Sequence, residues 1–212
     1  MVPSMWYKSI IHPIPKKGKS PLYPLNHRGI SLLSTVCKVF SAILNNRITL
    51  YAEMTGIFAD EQNGFRRLRS CLDHLFVLTT VIRNRKLQGL STYCAFIDFA
   101  KAFDSVWHPA LWHKLLACGI HGNILRTIQA LHANLLGSVR VNGALTDWFS
   151  IKAGVRQGDT LAPTLFAIYV SDLALEINAL NKGVTIGDGD QISILMYADG
   201  VVLLAKLGRI YN

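Results

Sequence analysis

Residues 191–205 read QISILMYADGVVLLA, which is two apolar runs separated by Ala198-Asp199-Gly200. Apolar runs broken by a turn signal are typical of paired β-strands, so this stretch predicts strands over 191–197 and 201–205. A third strand, YCAFIDF at 93–99, has the same character, and we expect it to be buried. Asp98 and Asp199 therefore stand in similar places, each beside apolar strand residues.

These two acids are the first candidates for chemistry, because a buried carboxylate is costly unless it is paired or binds a metal ion. On neighbouring strands, Asp98 and Asp199 would share divalent cations, since Mg²⁺ prefers carboxylate oxygens and substrate phosphates. Two ions about 3.5–4 Å apart activate a hydroxyl and stabilise a leaving phosphate. The residues alone leave two other interpretations open: Asp98 caps a turn at a strand end, or Asp199-Gly200 forms only a type I′ hairpin turn.

Outside these strands, the sequence pattern predicts five helices, over 35–54, 71–86, 108–118, 124–136 and 161–180. Asn142-Gly143 predicts a hairpin between strands 138–141 and 148–152. Residues 12–30 are rich in Pro, Gly and Lys and predict a basic irregular segment that includes a hairpin. The mixture predicts an α+β fold with an antiparallel sheet covered by helices on one face.

Composition limits the class of protein. Half of the 212 residues are hydrophobic, which supports a packed core and excludes a disordered or collagen-like chain. The net charge of +9 lies entirely in residues 1–90, which hold 13 Lys and Arg against 4 Asp and Glu. A basic part followed by a neutral part favours a polyanionic partner for the first part, and a basic surface without a fixed partner is the alternative.

The cysteines and the hydropathy indicate the compartment. Cys37, Cys71, Cys94 and Cys118 show no zinc-site spacing, so we expect reduced core residues. No apolar run reaches the ~18–20 residues that a membrane span requires. We therefore expect an intracellular protein, in the cytoplasm or the nucleus, with no membrane contact.

Five motifs follow one another along the chain, and together they are specific. In chain order they are NHRGISLL at 26–33, QNGFR at 62–66, DFAKAFDS at 98–105, GVRQGDTLAP at 154–163 and YADG at 197–200. They resemble, in the same order, the motifs of reverse transcriptases, and in character those of non-LTR (LINE-type) retrotransposons. The resemblance implies an RNA-directed DNA polymerase that adds a deoxynucleotide to a primer 3′ hydroxyl. Its implied partners are an RNA template, a DNA primer and a dNTP.

The resemblance also implies an architecture. We expect right-hand polymerase fingers and palm, with residues 1–90 as a fingers-like basic region and residues 91–212 as the palm with the catalytic motifs. The chain ends about a dozen residues after the YADG motif, so the thumb is expected to be absent and the chain to be part of a longer polyprotein.

Roles for single residues follow from the resemblance. Asp98 and Asp199 would be the catalytic carboxylates that bind two Mg²⁺ or Mn²⁺ ions, with the backbone carbonyl of Phe99 in the metal shell. Phe103 would exclude the ribose 2′-hydroxyl, and Tyr197 would pack near the primer end.

The remaining implied roles concern nucleotide and template. Arg28 would contact the triphosphate, with one of Lys16, Lys17 or Lys19 beside it, because arginine makes planar, multidentate contacts with phosphate. Gln157 and Gly158 would line the nucleotide pocket. Arg66 would contact template phosphates, and a solvated loop charge is the alternative.

The largest departure from the family pattern is Gly200, where the family carries a second Asp. The loss of one carboxylate removes negative charge from a two-metal site, so we expect severely reduced polymerase activity in this copy. The alternative is a catalytically dead remnant that at most binds nucleic acid. Phe103 and Gln157-Gly158 argue against a viral RNA-copying polymerase.

Overall fold

The computed structural model describes residues 2–187 and 189–206. In chain order its elements are β1 (Lys8–Pro15), β2 (His27–Leu32), α1 (Thr35–Met54), α2 (Cys71–Leu87), β3 (Tyr93–Asp98), α3 (His108–Ala117), α4 (Gly122–His132), β4 (Leu136–Val141), β5 (Ala144–Leu145), β6 (Phe149–Ser150), α5 (Ala162–Ala179), β7 (Val184–Ile186), β8 (Asp190–Ile192), β9 (Ile194–Tyr197) and β10 (Gly200–Ala205). The predicted α+β class is confirmed.

The chain divides into two compact units, and each combines two separate stretches of sequence. The first unit is Met1–Met54 with Lys101–Phe166, and the second is Thr55–Ala100 with Ala167–Asn212. The predicted fingers and palm division at residue 90 stays a prediction.

The first unit is built around a sheet in the order β2-β1-β4-β5, with β6 pairing on β4. β1 and β2 are antiparallel, and Pro15 pairs with His27, so the basic segment does include the predicted hairpin. β4 runs parallel to β1. Cys37 and Leu44 of α1 pack with Leu131 of α4 in the core of this unit.

The second unit contains the strands that carry the two acids. β3, β10 and β9 form an antiparallel sheet in that order, and β7 pairs with β8 separately. Leu78 of α2 packs with Leu195 and Leu204, whereas Ala174 of α5 packs with Ile194 and Met196. Because side chains alternate along a strand, the two helices cover opposite faces of this sheet. The prediction of helices on one face is therefore wrong.

Local signals explain where two of the helices begin and end. α2 begins at a capping box in which Ser70 and Asp73 satisfy each other's backbone N–H groups. α4 ends at His132, four residues before the predicted end, because Asn134 takes a left-handed backbone with φ of 53°. The apolar pattern continues past this point, since Leu136 begins β4.

Two strand predictions require correction. β3 is present, but the prediction that it is buried is wrong: among the strands that the structure describes it pairs with β10 alone, and five of its six residues are exposed. At the predicted hairpin, Asn142 and Gly143 have φ of 50° and 85°, and the returning strand starts at once because Val141 pairs with Ala144. The predicted strand at 148–152 is reduced to β6, which pairs with the start of β4.

The four cysteines differ in their surroundings. All four cysteines are free thiols, but only Cys37 is buried and Cys71 is exposed, so the prediction that all are core residues is wrong. In the part of the chain that the structure describes, no helix is both long and apolar enough to cross a membrane.

Candidate active site

Asp98 and Asp199 lie side by side at one end of the β3-β10-β9 sheet. Asp98 is the last residue of β3 and is exposed, and Asp199 lies in the turn between β9 and β10. The Phe99 N–H donates to the Asp199 carbonyl at 3.4 Å, which ties the two motifs together through their backbones. Within residues 2–187 and 189–206, neither carboxylate pairs with a basic side chain or accepts a hydrogen bond.

The turn that carries Asp199 is not the Asp-Gly turn that the sequence left open. Tyr197 pairs directly with Gly200, so the two central residues of the turn are Ala198 and Asp199. A type I′ turn needs positive φ at both central residues, but among these two only Ala198 has it, with φ of 56°. The type I′ interpretation is wrong, and Gly200 is the first residue of β10.

The two unpaired carboxylates and the neighbouring carbonyl of Phe99 form a set of oxygen donors that suits Mg²⁺ or Mn²⁺. Asp98 and Phe99 are exposed and Asp199 is half-buried, which leaves room for the waters and substrate phosphates that complete a magnesium shell. In the described part of the chain, no three His, Cys, Asp or Glu side chains converge on one point. The donor set fits a divalent ion with two carboxylates rather than three.

An apolar cavity of about 260 Å³ lies beside these acids. α2 contributes Leu75 and Leu78 to its wall, and the sheet contributes Phe96, Val202 and Gly200. Asp98 and Tyr197 also line it. Tyr197, the predicted primer contact, is exposed at the end of β9.

The first unit holds all six predicted nucleotide-binding residues. The Val155 N–H donates to the Phe103 carbonyl at 2.8 Å, which joins the third and fourth motifs. The Phe103 ring stacks on Phe166 with centroids 4.9 Å apart. The Ser31 N–H donates to the Gln157 carbonyl at 2.7 Å, which joins the first and fourth motifs.

The backbone conformation and the close packing at position 158 both require a glycine. Its φ is 122°, and an added Cβ would lie 2.5 Å from the Ser31 carbonyl oxygen. Only glycine combines this backbone with this close approach.

The predicted phosphate contacts differ in their surroundings. Arg28 is exposed on β2, where it pairs with Ile14, and Lys17 is exposed in the loop that follows β1. The Lys16 ammonium donates to the Leu25 carbonyl at 3.2 Å, so it braces the base of that loop.

The Arg66 side chain is more buried than we expect of a side chain that contacts the template. Only 7% of its side chain is exposed, and its guanidinium donates to the Ala59 carbonyl at 2.9 Å. It also lies over the Phe58 ring, 5.4 Å from the centroid. The template contact stays a prediction.

Two features were not found from sequence. Gln62 lies in a quoted motif but had no assigned role, and its side chain bonds both backbone groups of Ala198. Arg156 and Asp159 form an ion pair at 2.8 Å with each side chain 2% exposed. The RQGD spacing places them three residues apart, which is the only signal for the pair. Asp159 also accepts from the Leu161 N–H, as expected of a helix cap.

Comparison with known proteins identifies the family. Residues 14–209 match the family described as "Reverse transcriptase (RNA-dependent DNA polymerase)". The chain belongs to the reverse transcriptase family.

The similar proteins come from non-LTR retrotransposons, as the resemblance implied. This reverse transcriptase domain is 33% identical over 181 residues to "Probable RNA-directed DNA polymerase from transposon X-element" of Drosophila melanogaster, covering 81% of this chain and 19% of that protein. It is 30% identical to "RNA-directed DNA polymerase from mobile element jockey" of Drosophila funebris, covering 90% and 20%. The polyprotein of "type-1 retrotransposable element R2" from Popillia japonica is also 30% identical, and the match covers 96% of this chain and 28% of that protein. The chain thus spans between a fifth and just over a quarter of these relatives.

Solved telomerase structures share the fold. The telomerase of Candida albicans superposes with a TM-score of 0.64 at 14% identity, over 99% of this chain and 39% of that one. The apo telomerase of Candida tropicalis superposes with a TM-score of 0.64 at 15% identity, over 97% of this chain and 45% of that one. At this identity the likeness concerns fold alone, and it confirms the fingers and palm fold of the reverse transcriptase domain.

Proposed function

We propose that this reverse transcriptase domain catalyses RNA-templated addition of a dNTP to a primer 3′ hydroxyl. The observation that carries the proposal is the pair Asp98 and Asp199, whose backbones lie side by side at one end of a sheet and whose carboxylates have no partner among the described residues. Unpaired neighbouring carboxylates repel each other, so their juxtaposition favours a site made for cations.

Asp98, Asp199 and the Phe99 carbonyl would hold two Mg²⁺ or Mn²⁺ ions. When bound, such ions lower the pKa of the primer hydroxyl and neutralise charge on the transferring phosphate. The primer oxygen then bonds to the α-phosphorus, the bond to the pyrophosphate oxygen breaks, and the hydroxyl proton leaves to solvent. Positioning and charge neutralisation suffice for this reaction, and no covalent nucleophile is needed.

The nucleotide-binding assignments belong to residues of the first unit. The Phe103 ring, fixed against Phe166, would exclude a ribose 2′-hydroxyl. Arg28 and Lys17 would bind phosphate oxygens, and Lys16 would support that loop. Gln157 and Gly158 would contact the nucleotide through the backbone segment that Ser31 fixes.

The partners would be an RNA template and a DNA primer, contacted mainly through phosphate and sugar. The excess of Lys and Arg in residues 1–90 supplies the charge for this contact. Tyr197 would pack near the primer end and Arg66 would act toward the template. The domain would work inside a longer polyprotein, in a compartment that keeps its four thiols reduced.

The glycine at position 200 supports the expectation that this copy has reduced polymerase activity, because two carboxylates neutralise less cationic charge than three. A second candidate function rests on the same residue: a remnant without catalysis that binds nucleic acid through its basic surface.

Primer extension on an RNA template with Mg²⁺ or Mn²⁺ separates the two. The variants are Gly200→Asp and Asp98→Ala, with Asp147→Ala as the matched control at an exposed carboxylate outside the motifs. The proposal expects extension to rise at least tenfold in Gly200→Asp, to vanish in Asp98→Ala and to stay unchanged in Asp147→Ala. A folded Gly200→Asp variant that binds the primer-template but extends nothing would contradict the polymerase and favour the remnant.

A further inference from the structure

We propose that Gln62 is a positioning residue for Asp199, and that it acts through the backbone of Ala198. This inference rests on the proposed metal role of Asp199. Gln62 lies in the loop before α2, is 1% exposed and belongs to the same compact unit as Asp199.

The carboxamide of Gln62 binds the turn from both sides. Its Oε1 accepts the Ala198 N–H at 2.9 Å, and its Nε2 donates to the Ala198 carbonyl at 3.1 Å. The same Oε1 also accepts the Gly64 N–H at 2.8 Å. One buried side chain therefore satisfies three backbone groups, which would otherwise be buried without partners.

Ala198 is the residue that needs such a clamp. Its φ of 56° is a left-handed conformation that an alanine rarely adopts. Such conformations persist only where the surroundings impose them, and they are concentrated at functional sites. Asp199 is the next residue, so the conformation of Ala198 sets the direction in which the Asp199 carboxylate leaves the turn.

The clamp is itself held in place on β9. The Asn63 N–H donates to the Met196 carbonyl at 2.9 Å, and the Met196 N–H donates to the Glu61 carbonyl at 2.8 Å. His74 of α2 lies within hydrogen-bond distance of both carbonyls, with its Nε2 at 2.9 Å from Glu61 and 3.0 Å from Met196. The loop segment that carries Gln62 cannot move away from β9 without breaking these bonds.

Gly64 permits the approach. A Cβ at this position would overlap the Ala198 backbone nitrogen, so the loop reaches the turn only because residue 64 has no side chain. The QNGFR motif thus contributes a polar clamp and the space for it, and the clamp sits one residue from the carboxylate.

The test compares Gln62→Met, which keeps the length of the side chain and removes all three hydrogen bonds, with Gln62→Glu, which keeps the two accepted bonds. Gln88→Met makes the same replacement at an exposed glutamine after α2 and is the control. Mn²⁺ affinity is measured by electron paramagnetic resonance, and exchange of the Ala198 amide by NMR. Circular dichroism and urea unfolding show whether each variant is folded.

We expect Gln62→Met to weaken Mn²⁺ binding about tenfold, as is typical when a residue that orients a metal ligand is lost. The Ala198 amide should exchange at least tenfold faster. Gln62→Glu should lie between Gln62→Met and the parent chain, and Gln88→Met should match the parent. If Gln62→Met does not fold, Gln62→Glu decides by the same two measurements.

A folded Gln62→Met variant with parental Mn²⁺ affinity overturns the inference. If the parent chain binds no Mn²⁺, the proposed metal role fails, and amide exchange alone then tests the clamp. Unchanged protection of the Ala198 amide in Gln62→Met would overturn the clamp, whereas lost protection would support it. Failure of the function and failure of the clamp are therefore distinguishable.

Discussion

Asp98 and Gly200 are direct partners across the antiparallel ladder between β3 and β10. Side chains at such positions share one face of the sheet, with Cβ atoms about 4.5–5.5 Å apart. Among the described atoms, a Cβ at Gly200 would meet the Tyr197 carbonyl oxygen alone, at 3.4 Å, and the backbone there is not left-handed. A carboxylate at position 200 would thus stand opposite Asp98 and next in the chain to Asp199, and the backbone leaves room for its Cβ.

The substitution Gly200→Asp should make stability depend on metal. Without metal, two like charges opposite each other should lower the free energy of unfolding by about 0.5–1 kcal/mol. With Mn²⁺ at 100 times its Kd, binding to the folded state should add about 2.7 kcal/mol. Urea unfolding with and without Mn²⁺ measures both effects.

Gly200→Asn is the control for that experiment, because it adds a side chain of the same size without charge. Without metal it should keep the parental stability, and at a given Mn²⁺ concentration it should gain no more than the parent chain gains through Asp98 and Asp199. Equal responses of the two variants to Mn²⁺ would remove position 200 from the metal site.

Gly64→Ala should strongly destabilise the domain, because its Cβ would overlap the backbone of Ala198 and push the QNGFR loop off β9. We expect a loss of at least about 3 kcal/mol in the free energy of unfolding. Gly200→Ala is the matched control, since its Cβ has room. Thermal unfolding compares the two, and a Gly64→Ala variant as stable as Gly200→Ala would contradict the packing described for this loop.

The buried pair of Arg156 and Asp159 should be costly to break from one side. Asp159→Asn leaves the guanidinium buried without its counter-charge, so we expect a loss of about 3–5 kcal/mol. Replacing both residues, as Arg156→Met with Asp159→Leu, should cost less than Asp159→Asn alone, because no unpaired charge remains. Chemical unfolding of both variants provides the comparison, and a double variant less stable than the single would show that the ion pair itself is strongly favourable.

His132 should make stability depend on pH. Burial lowers the pKa of His132 to about 4, and the positive charge of Arg156 and a charged His108 would act in the same direction, against Asp159 and the hydrogen bond to the Ile128 carbonyl. An unfolded histidine titrates near 6.5, so between about pH 6.5 and 4 the unfolded chain binds more protons and stability falls as pH falls.

From pH 7 to pH 5 this group should cost about 2 kcal/mol of unfolding free energy. His132→Gln should remove that part of the pH dependence, whereas His113→Gln, at an exposed histidine, should leave it in place. Urea unfolding at the two pH values is the measurement, and an unchanged slope in His132→Gln would refute the assignment.

Sequence predicted the elements of the fold where local signals agree with packing. The apolar spacing at 35–54 gave α1 with both ends correct, and the motifs gave the family. The exposure of β3 was missed because burial depends on what covers the strand, and an edge strand can have the same apolar composition as a central one. The end of α4 was missed because Asn134 adopts a left-handed backbone inside a continuing apolar pattern.

Some residues of the candidate site could likewise be predicted from sequence, and others could not. Sequence selected Asp98 and Asp199 because acids among apolar strand residues are conspicuous. It did not find the role of Gln62, because a glutamine in a loop carries no local signal, and its partner Ala198 lies 136 residues away. The burial of the Arg66 guanidinium likewise arises from folding of the loop on itself.

Mn²⁺ binding tests most directly whether Asp98 and Asp199 form one metal site. The affinity is measured for Asp98→Ala, Asp199→Ala and the double variant. If they bind the same ions, each single variant should weaken binding at least tenfold, and the double variant should bind little less than either single one. Parental affinity in folded Asp98→Ala would contradict the account.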